Sequence, residues 1–226
     1  MEQNGIISPP QRPGEFYLAA KHHMRNLTLS TGEYYHVYNR GVDRRKTFRN
    51  HENYRLFLYF AGRSKHDNDT GKHVVNIHAY ACMTNHFHML LEQTRENGIA
   101  QFMQRLSTSY TRAFNRQHQR SGSLFETTYK ARHVDTDAYL DVVATYIHRN
   151  PLAIPETIDV ETLDSYQWSS YPHYRGLVKN PLVDDKTLSD LFGAPNHTQK
   201  FHQRISAKLD DYRFGLEYPQ TKLARN

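Results

Sequence analysis

The sequence predicts an α+β fold: a ferredoxin-like split βαβ sandwich, an antiparallel sheet with helices on one face, followed by a C-terminal extension. Strand-like and helix-like segments alternate in the order β-α-β-β-α-β, which few layered architectures accommodate. The second and third strands are separated only by Thr84 and Asn85, close enough for a hairpin. The chain has 226 residues and one cysteine, so a buried core rather than disulfides must stabilise it.

Tyr34–Asn39, aromatic and β-branched, reads as the first strand. Arg40, Gly41 and the charged run from Asp43 to Lys46 leave it as a basic loop. Tyr54, Leu56, Phe57, Leu58 and Phe60 suggest a helix over Asn53–Gly62. Val74–Met83 is the second strand, with Val75, Ile77, Ala79 and Ala81 expected on one face, and His86–Glu92 is the third. Phe102, Leu106, Tyr110 and Phe114 recur every fourth residue, giving a long helix over Ile99–Asn115. Leu124–Tyr129, with a possible continuation at His133–Val134, is expected as the fourth strand. Asp135 and Asp137 suit the N-terminus of a helix over Asp135–His148, which Asn150-Pro151 stops. A further short helix is expected over Thr187–Phe192.

Charge is unevenly spread. Residues 1–150 hold 20 basic and 13 acidic side chains, whereas 151–226 hold 9 and 10. Between Gln101 and His133 six basic residues face only Glu126. Such asymmetry is the footprint of a polyanion partner, or else a solvated helix face. No apolar run reaches the roughly 18 residues of a membrane helix, and the polar, Pro-rich start lacks the apolar core of a signal peptide. A soluble, cytoplasmic protein is expected.

Two short segments concentrate the chemistry. In His86-Phe87-His88, residues i and i+2 of a strand point to one face, so both imidazoles can reach one metal ion while Phe87 turns away. Among fifteen histidines such a pair also arises by chance. In Tyr146-Ile147-His148-Arg149-Asn150-Pro151, Tyr146 and Asn150 share a helix face. Alone, that pair is compatible with ordinary packing. Opposite a two-histidine metal site, it becomes a nucleophile and an oxygen donor.

Together Asn85-His86-Phe87-His88 and Tyr146–Pro151 resemble the single-tyrosine HUH transposases, and most nearly the REP-associated tyrosine transposases. Tyr35–Gly41, Tyr80–Asn85 and Gly122–Glu126 match in the same order; Thr84 departs, where the pattern has proline. The resemblance spans about Tyr34–Leu152. It divides the chain into an N-terminal arm (1–25, flexible or peripheral), a transposase domain (26–152) and a mostly helical or irregular extension (153–226).

The resemblance implies a transposase: a metal-dependent single-strand DNA endonuclease and strand transferase acting on hairpin or palindromic DNA through a 5'-phosphotyrosine intermediate. His86, His88 and Asn150 correspond to the ligands of a divalent ion, Mg2+ or Mn2+, and Tyr146 to the nucleophile. His148, two positions on, points elsewhere and is not assigned as the base. The partner is single-stranded or hairpin DNA, with Arg40, Arg44, Arg45, Lys46, Arg105, Arg112, Lys130 and Arg132 as candidate phosphate contacts. Tyr35, Tyr38 or Tyr129 are candidates for base stacking. Monomer and homodimer both stay open. The alternatives are a domesticated hairpin-DNA-binding protein without productive transposition, and a hydrolytic phosphoesterase. His36 and Asn39 have no role derivable from sequence.

Overall fold

The structure, a computed structural model, describes residues 28–67, 69–153 and 160–192, all within one compact unit, 28–206. The expected N-terminal arm, and the extension from residue 193 onward, lie outside the described residues. Strands β1 (Tyr34–Arg40), β2 (Val75–Cys82), β3 (His86–Gln93) and β4 (Lys130–Val134) form one antiparallel sheet in the order β2-β3-β1-β4. β3 lies between β1 and β2, which is the split βαβ arrangement expected.

Helices α1 (His51–Ser64) and α2 (Gly98–Gln117) cover one face. Asn50 caps α1, its side chain accepting from the Asn53 amide at 3.0 Å. On β1 and β3, Tyr35, Val37, Phe87, Met89 and Leu91 point into this layer, against Phe57 of α1 and Phe102, Leu106 and Tyr110 of α2. Their neighbours point the other way, where α3 (Asp137–Arg149) packs Leu140, Val143, Ala144 and Ile147 against the sheet. Thr136 caps α3 through the Tyr139 amide, so Asp135 stands outside it and Asp137 in its first turn. The helices of the split βαβ share one face, and α3 roofs the other.

The second strand departs from its expected alternation. The register steps from Ile77↔Leu91 to Ala79↔Leu90, leaving His78 as the extra residue of a bulge. Val75 and Ile77 therefore face α1 and α2, whereas Ala79 and Ala81 face α3. The hairpin between β2 and β3 closes over Thr84-Asn85, with the Met83 amide donating to the His86 carbonyl at 2.8 Å.

The fourth strand begins later than expected. Leu124–Tyr129 makes only an isolated bridge between Phe125 and Gly41. The Asn39 side chain substitutes for a ladder there, donating to the carbonyls of Thr127 (2.8 Å) and Thr128 (3.0 Å). Leu124 and Phe125 are buried, which draws the segment inward and delays regular pairing until Lys130.

Within the extension, α4 (Val160–Leu163), α5 (Tyr171–Tyr174) and α6 (Lys186–Phe192) are described. This stretch lines the β2 edge: the Cys82 amide donates to the Trp168 carbonyl and the Asp184 amide to the Ile77 carbonyl. Ser170 Oγ accepts from the Tyr80 amide, and Tyr174 donates to the His78 carbonyl. The edge strand is thereby covered.

Candidate active site

The sheet register sets out the floor of the site. Directly opposed residues of an antiparallel pair share a face. On the α3 side this gives a row Lys130–Tyr38–His88 across β4, β1 and β3, and beside it Arg132–His36–Leu90. Arg40 stands opposite His86. Phe87, between the two histidines, is fully buried against Phe57 and Phe125 on the other face, as the period of a strand requires.

Helix α3 supplies the roof. Its apolar stripe fixes its rotation, and Tyr146 projects over the histidines. The Tyr146 ring lies edge-on to His88 (5.3 Å between centroids) and to His36 (5.7 Å). One turn later, Asn150 donates through Nδ2 to the Tyr146 backbone carbonyl at 3.3 Å, and its amide bears on the titration of both His86 and the Tyr146 phenol. The expected His86, His88, Tyr146 and Asn150 thus converge from β3 and α3. His148 turns away, fully buried, with its Nε2 2.7 Å from Ser170 Oγ.

Each histidine is fixed through its Nδ1. His86 Nδ1 lies 2.6 Å from Asn85 Oδ1. The Asn85 amide is oriented by donating through Nδ2 to the Arg44 carbonyl, so the oxygen faces the ring and His86 Nδ1–H donates. His88 Nδ1 lies 2.8 Å from His36 Nε2, and the two rings stack. His88 Nε2 is buried with no hydrogen-bond partner among the described residues. A buried imidazole nitrogen so left suits a metal ion or another electrophile.

Burial sets the electrostatics. It holds His86 down at about 4, opposed by the hydrogen bond to Asn150 and assisted by the Arg40 charge. Burial also lowers His88 well below the usual imidazole range, helped by His36 and His86, and lowers His36 to about 3 with help from Arg132. All three are neutral at pH 7, the state a metal ligand requires. Burial raises the Tyr146 phenol, and the Asn150 hydrogen bond and the Arg132 charge oppose that rise. No three His, Cys, Asp or Glu side chains gather into a metal-ligand set among the described residues; the donors here are two imidazoles and an amide. With the orphaned His88 Nε2, that set fits a hard catalytic ion that keeps open positions, not a closed structural zinc site.

The cationic candidates divide. Lys130 and Arg132 belong to the site face. Arg44, Arg45 and Lys46 are exposed on the loop that packs against the hairpin turn, where the Thr47 and Phe48 amides both donate to the Thr84 carbonyl. Arg40 makes a two-pronged pair with Glu126 at 3.0 and 3.1 Å. Arg105 and Arg112 sit on α2, beyond the other face of the sheet, and Arg105 donates to the His66 carbonyl. Tyr35 is not available for stacking: it is buried in the α1/α2 core and its hydroxyl accepts from the Ser30 amide. Tyr129 is half-buried against that core, and Tyr38 stacks on His88.

Sequence reasoning missed His36 and Asn39. Their partners lie 52 and 88 to 89 residues away, and neither residue belongs to a spacing motif. Their place in a strand matching the family pattern was the only signal.

The family model described as "Transposase IS200 like" matches residues 30–150, more than half of the chain. No curated protein matches. A solved structure of a REP-associated tyrosine transposase bound to a REP hairpin aligns with a TM-score of 0.51 at 13% identity, covering 70% of this chain and 87% of that one. At that identity the likeness establishes the fold, an antiparallel α+β sheet with helices. No described helix is long and apolar enough to cross a membrane. The sheet, the histidine pair beneath a helical tyrosine, and the family match agree: the chain belongs to the IS200-like transposase family.

Proposed function

We propose that this protein is a metal-dependent single-strand DNA endonuclease and strand transferase that acts on hairpin or palindromic DNA through a 5'-phosphotyrosine intermediate. One observation supports this above the rest: the Tyr146 ring stands edge-on over His88 and His36, with centroids 5.3 and 5.7 Å away, so the nucleophile and the metal-binding face share one place. His86, His88 and Asn150 would hold Mg2+ or Mn2+. When bound, such an ion polarises the scissile phosphate and offsets charge on its non-bridging oxygens.

The protein's own groups do the rest. Tyr146 Oη attacks phosphorus as its proton passes to water. The bond from phosphorus to the 3'-oxygen breaks, and that oxygen leaves and takes up a proton. The products are a 5'-phosphate ester on Tyr146 and a free 3'-hydroxyl. The Arg132 charge and the Asn150 hydrogen bond both favour the phenolate. A 3'-hydroxyl of a second strand can attack the same phosphorus and return the electron pair to Tyr146 Oη, so joining needs no nucleotide triphosphate. Because Tyr146 is roofed against the sheet, an unpaired, flexible phosphodiester is the substrate that can enter. Lys130 and Arg132 on the site face, and the exposed Arg44, Arg45 and Lys46 on the loop beside the hairpin turn, are the phosphate contacts proposed. The partner proposed is DNA, by analogy with the REP hairpin held by the structural neighbour.

The test is a labelled hairpin from the DNA flanking the protein's own gene, incubated with Mg2+ or Mn2+ and run on denaturing gels. Label should become attached to wild-type protein, and attachment should vanish in chelator and in Tyr146→Phe while binding persists. Cleavage that survives Tyr146→Phe would indicate a hydrolytic phosphoesterase. Binding without cleavage on several hairpins would indicate a domesticated DNA-binding protein.

A further inference from the structure

We infer that His36 is a positioning residue for the metal site: its Nε2 accepts the Nδ1–H of His88, fixing the tautomer in which His88 turns an unprotonated Nε2 toward the ion. The inference rests on the metal-dependent reading above and adds an outer partner to it. Three observations carry it.

The contact is short and buried. His36 Nε2 and His88 Nδ1 are 2.8 Å apart, and both residues are buried. One of these nitrogens must bear the hydrogen and the other the lone pair. If His36 were the donor, neutral His88 would bear its hydrogen on Nε2. That nitrogen is buried and has no partner, so it would become an unsatisfied donor aimed at the place where a cation must bind. With His88 as donor, the same nitrogen becomes a free lone pair suited to a metal.

The neighbouring ligand is built the same way. His86 also engages an acceptor through Nδ1, the Asn85 Oδ1 oriented by the Arg44 carbonyl. Both imidazoles are therefore held at the same ring nitrogen. Holding the second nitrogen of a ligating histidine is how outer partners set its orientation and basicity.

The strand geometry fixes His36 in place. It lies on β1 between Arg132 on β4 and Leu90 on β3, so the backbone ladders set its position. Its ring stacks on that of His88 with centroids 5.0 Å apart. Truncation would remove both the acceptor and the surface against which His88 rests.

The experiment has two arms on the full-length protein. In the first, long-range 1H–15N spectra of metal-free protein at neutral pH, assigned with His36→Gln and His88→Gln, report the tautomers directly. The expected result is Nδ1–H at His88; Nε2–H there would overturn the inference. In the second, Mn2+ binding is followed by loss of the free-ion electron paramagnetic resonance signal. His36→Phe should weaken Mn2+ binding about 10- to 100-fold, and His36→Gln, which restores an acceptor oxygen, should recover most of it. Hairpin binding in chelator should be unchanged in both variants. If wild type binds Mn2+ and His88→Ala abolishes binding but His36→Phe does not weaken it, the positioning role is wrong while the metal site stands. If wild type binds no Mn2+ at all, the metal-dependent reading falls, and this inference with it.

Discussion

Replacing Asn39 with alanine tests whether one side chain joins the catalytic sheet to the segment leading into β4. Asn39 is 3% exposed. It donates to the Thr127 and Thr128 carbonyls and accepts from the Arg40 amide at 2.9 Å. Each such bond contributes a net ~1 kcal/mol. Thr127 and Thr128 are exposed, so their carbonyls regain water in the variant, which limits the loss; the Arg40 amide, partly buried, does not fully recover. The expected destabilisation is about 1.5–3 kcal/mol, three bonds at about 0.5–1 kcal/mol each. Urea unfolding followed by the single tryptophan, Trp168, which stacks on Tyr54, measures it. Asn39→Asp keeps the acceptor but sets a carboxylate oxygen against the two carbonyls at a buried position, and should destabilise at least as much as alanine. Amide exchange should also accelerate at Val42 and Glu126, whose amides pair with the Leu124 and Arg40 carbonyls. An Asn39→Ala protein within 0.5 kcal/mol of wild type, with those amides still protected, would refute this account of the missing ladder; about 0.5 is the floor for one lost bond.

Gly41→Ala should unfold more easily and bind hairpin DNA more weakly, because a Cβ there would lie 2.2 Å from the Arg45 carbonyl oxygen and displace the basic loop; denaturation and gel shifts check both. Arg132→Ala should weaken hairpin binding and lower the salt dependence by about one counterion. Arg105→Ala, beyond the opposite face of the sheet, should leave both unchanged in the same titration. Asp67 is held at about 2, chiefly by the Thr70 amide and hydroxyl, then by the Asp69 amide and the Arg95 charge. Its contribution is present above the ordinary carboxylate pKa and is lost as pH falls through about 2. Asp67→Asn should therefore flatten the acid limb of a stability-versus-pH curve below about pH 4, whereas an unchanged limb would assign that limb to other groups.

What could be read from the sequence was what short range determines. The apolar spacing of α2 and the alternation of His86, Phe87 and His88 are local patterns, and the structure keeps them: α2 runs over Gly98–Gln117 and Phe87 enters the core. The i, i+4 pair of Tyr146 and Asn150 is likewise a property of one helix. The bulge at His78 was not legible, because Val75, Ile77, Ala79 and Ala81 alternate as an unbroken strand would. The partners of His78, namely the Asp184 carbonyl, Glu92 and the Tyr174 hydroxyl, hold the extra residue in place, and all are distant in sequence or across the sheet. The late start of β4 was hidden for a similar reason. Leu124 and Phe125 have strand-like composition, yet what holds that segment is Asn39, a polar side chain on another strand. His36 belongs with them: its meaning comes from the ring it touches, not from its neighbours in the chain. The site residues found by motif were those that one element presents by itself, and those missed act across elements.

The proposed chemistry turns on which side chain takes the phosphate. Wild-type protein would be trapped on a labelled hairpin with Mn2+ and digested with trypsin, and the nucleotide-bearing peptide fragmented by mass spectrometry. Cleavage after Arg132 and Arg149 yields one peptide that includes both Tyr139 and Tyr146, and its fragment series separates them. The nucleotide is expected on Tyr146, joined through its 5'-phosphate, and none in Tyr146→Phe. An adduct on Tyr38 or Tyr139, or cleaved DNA with no adduct on any tyrosine, would contradict it.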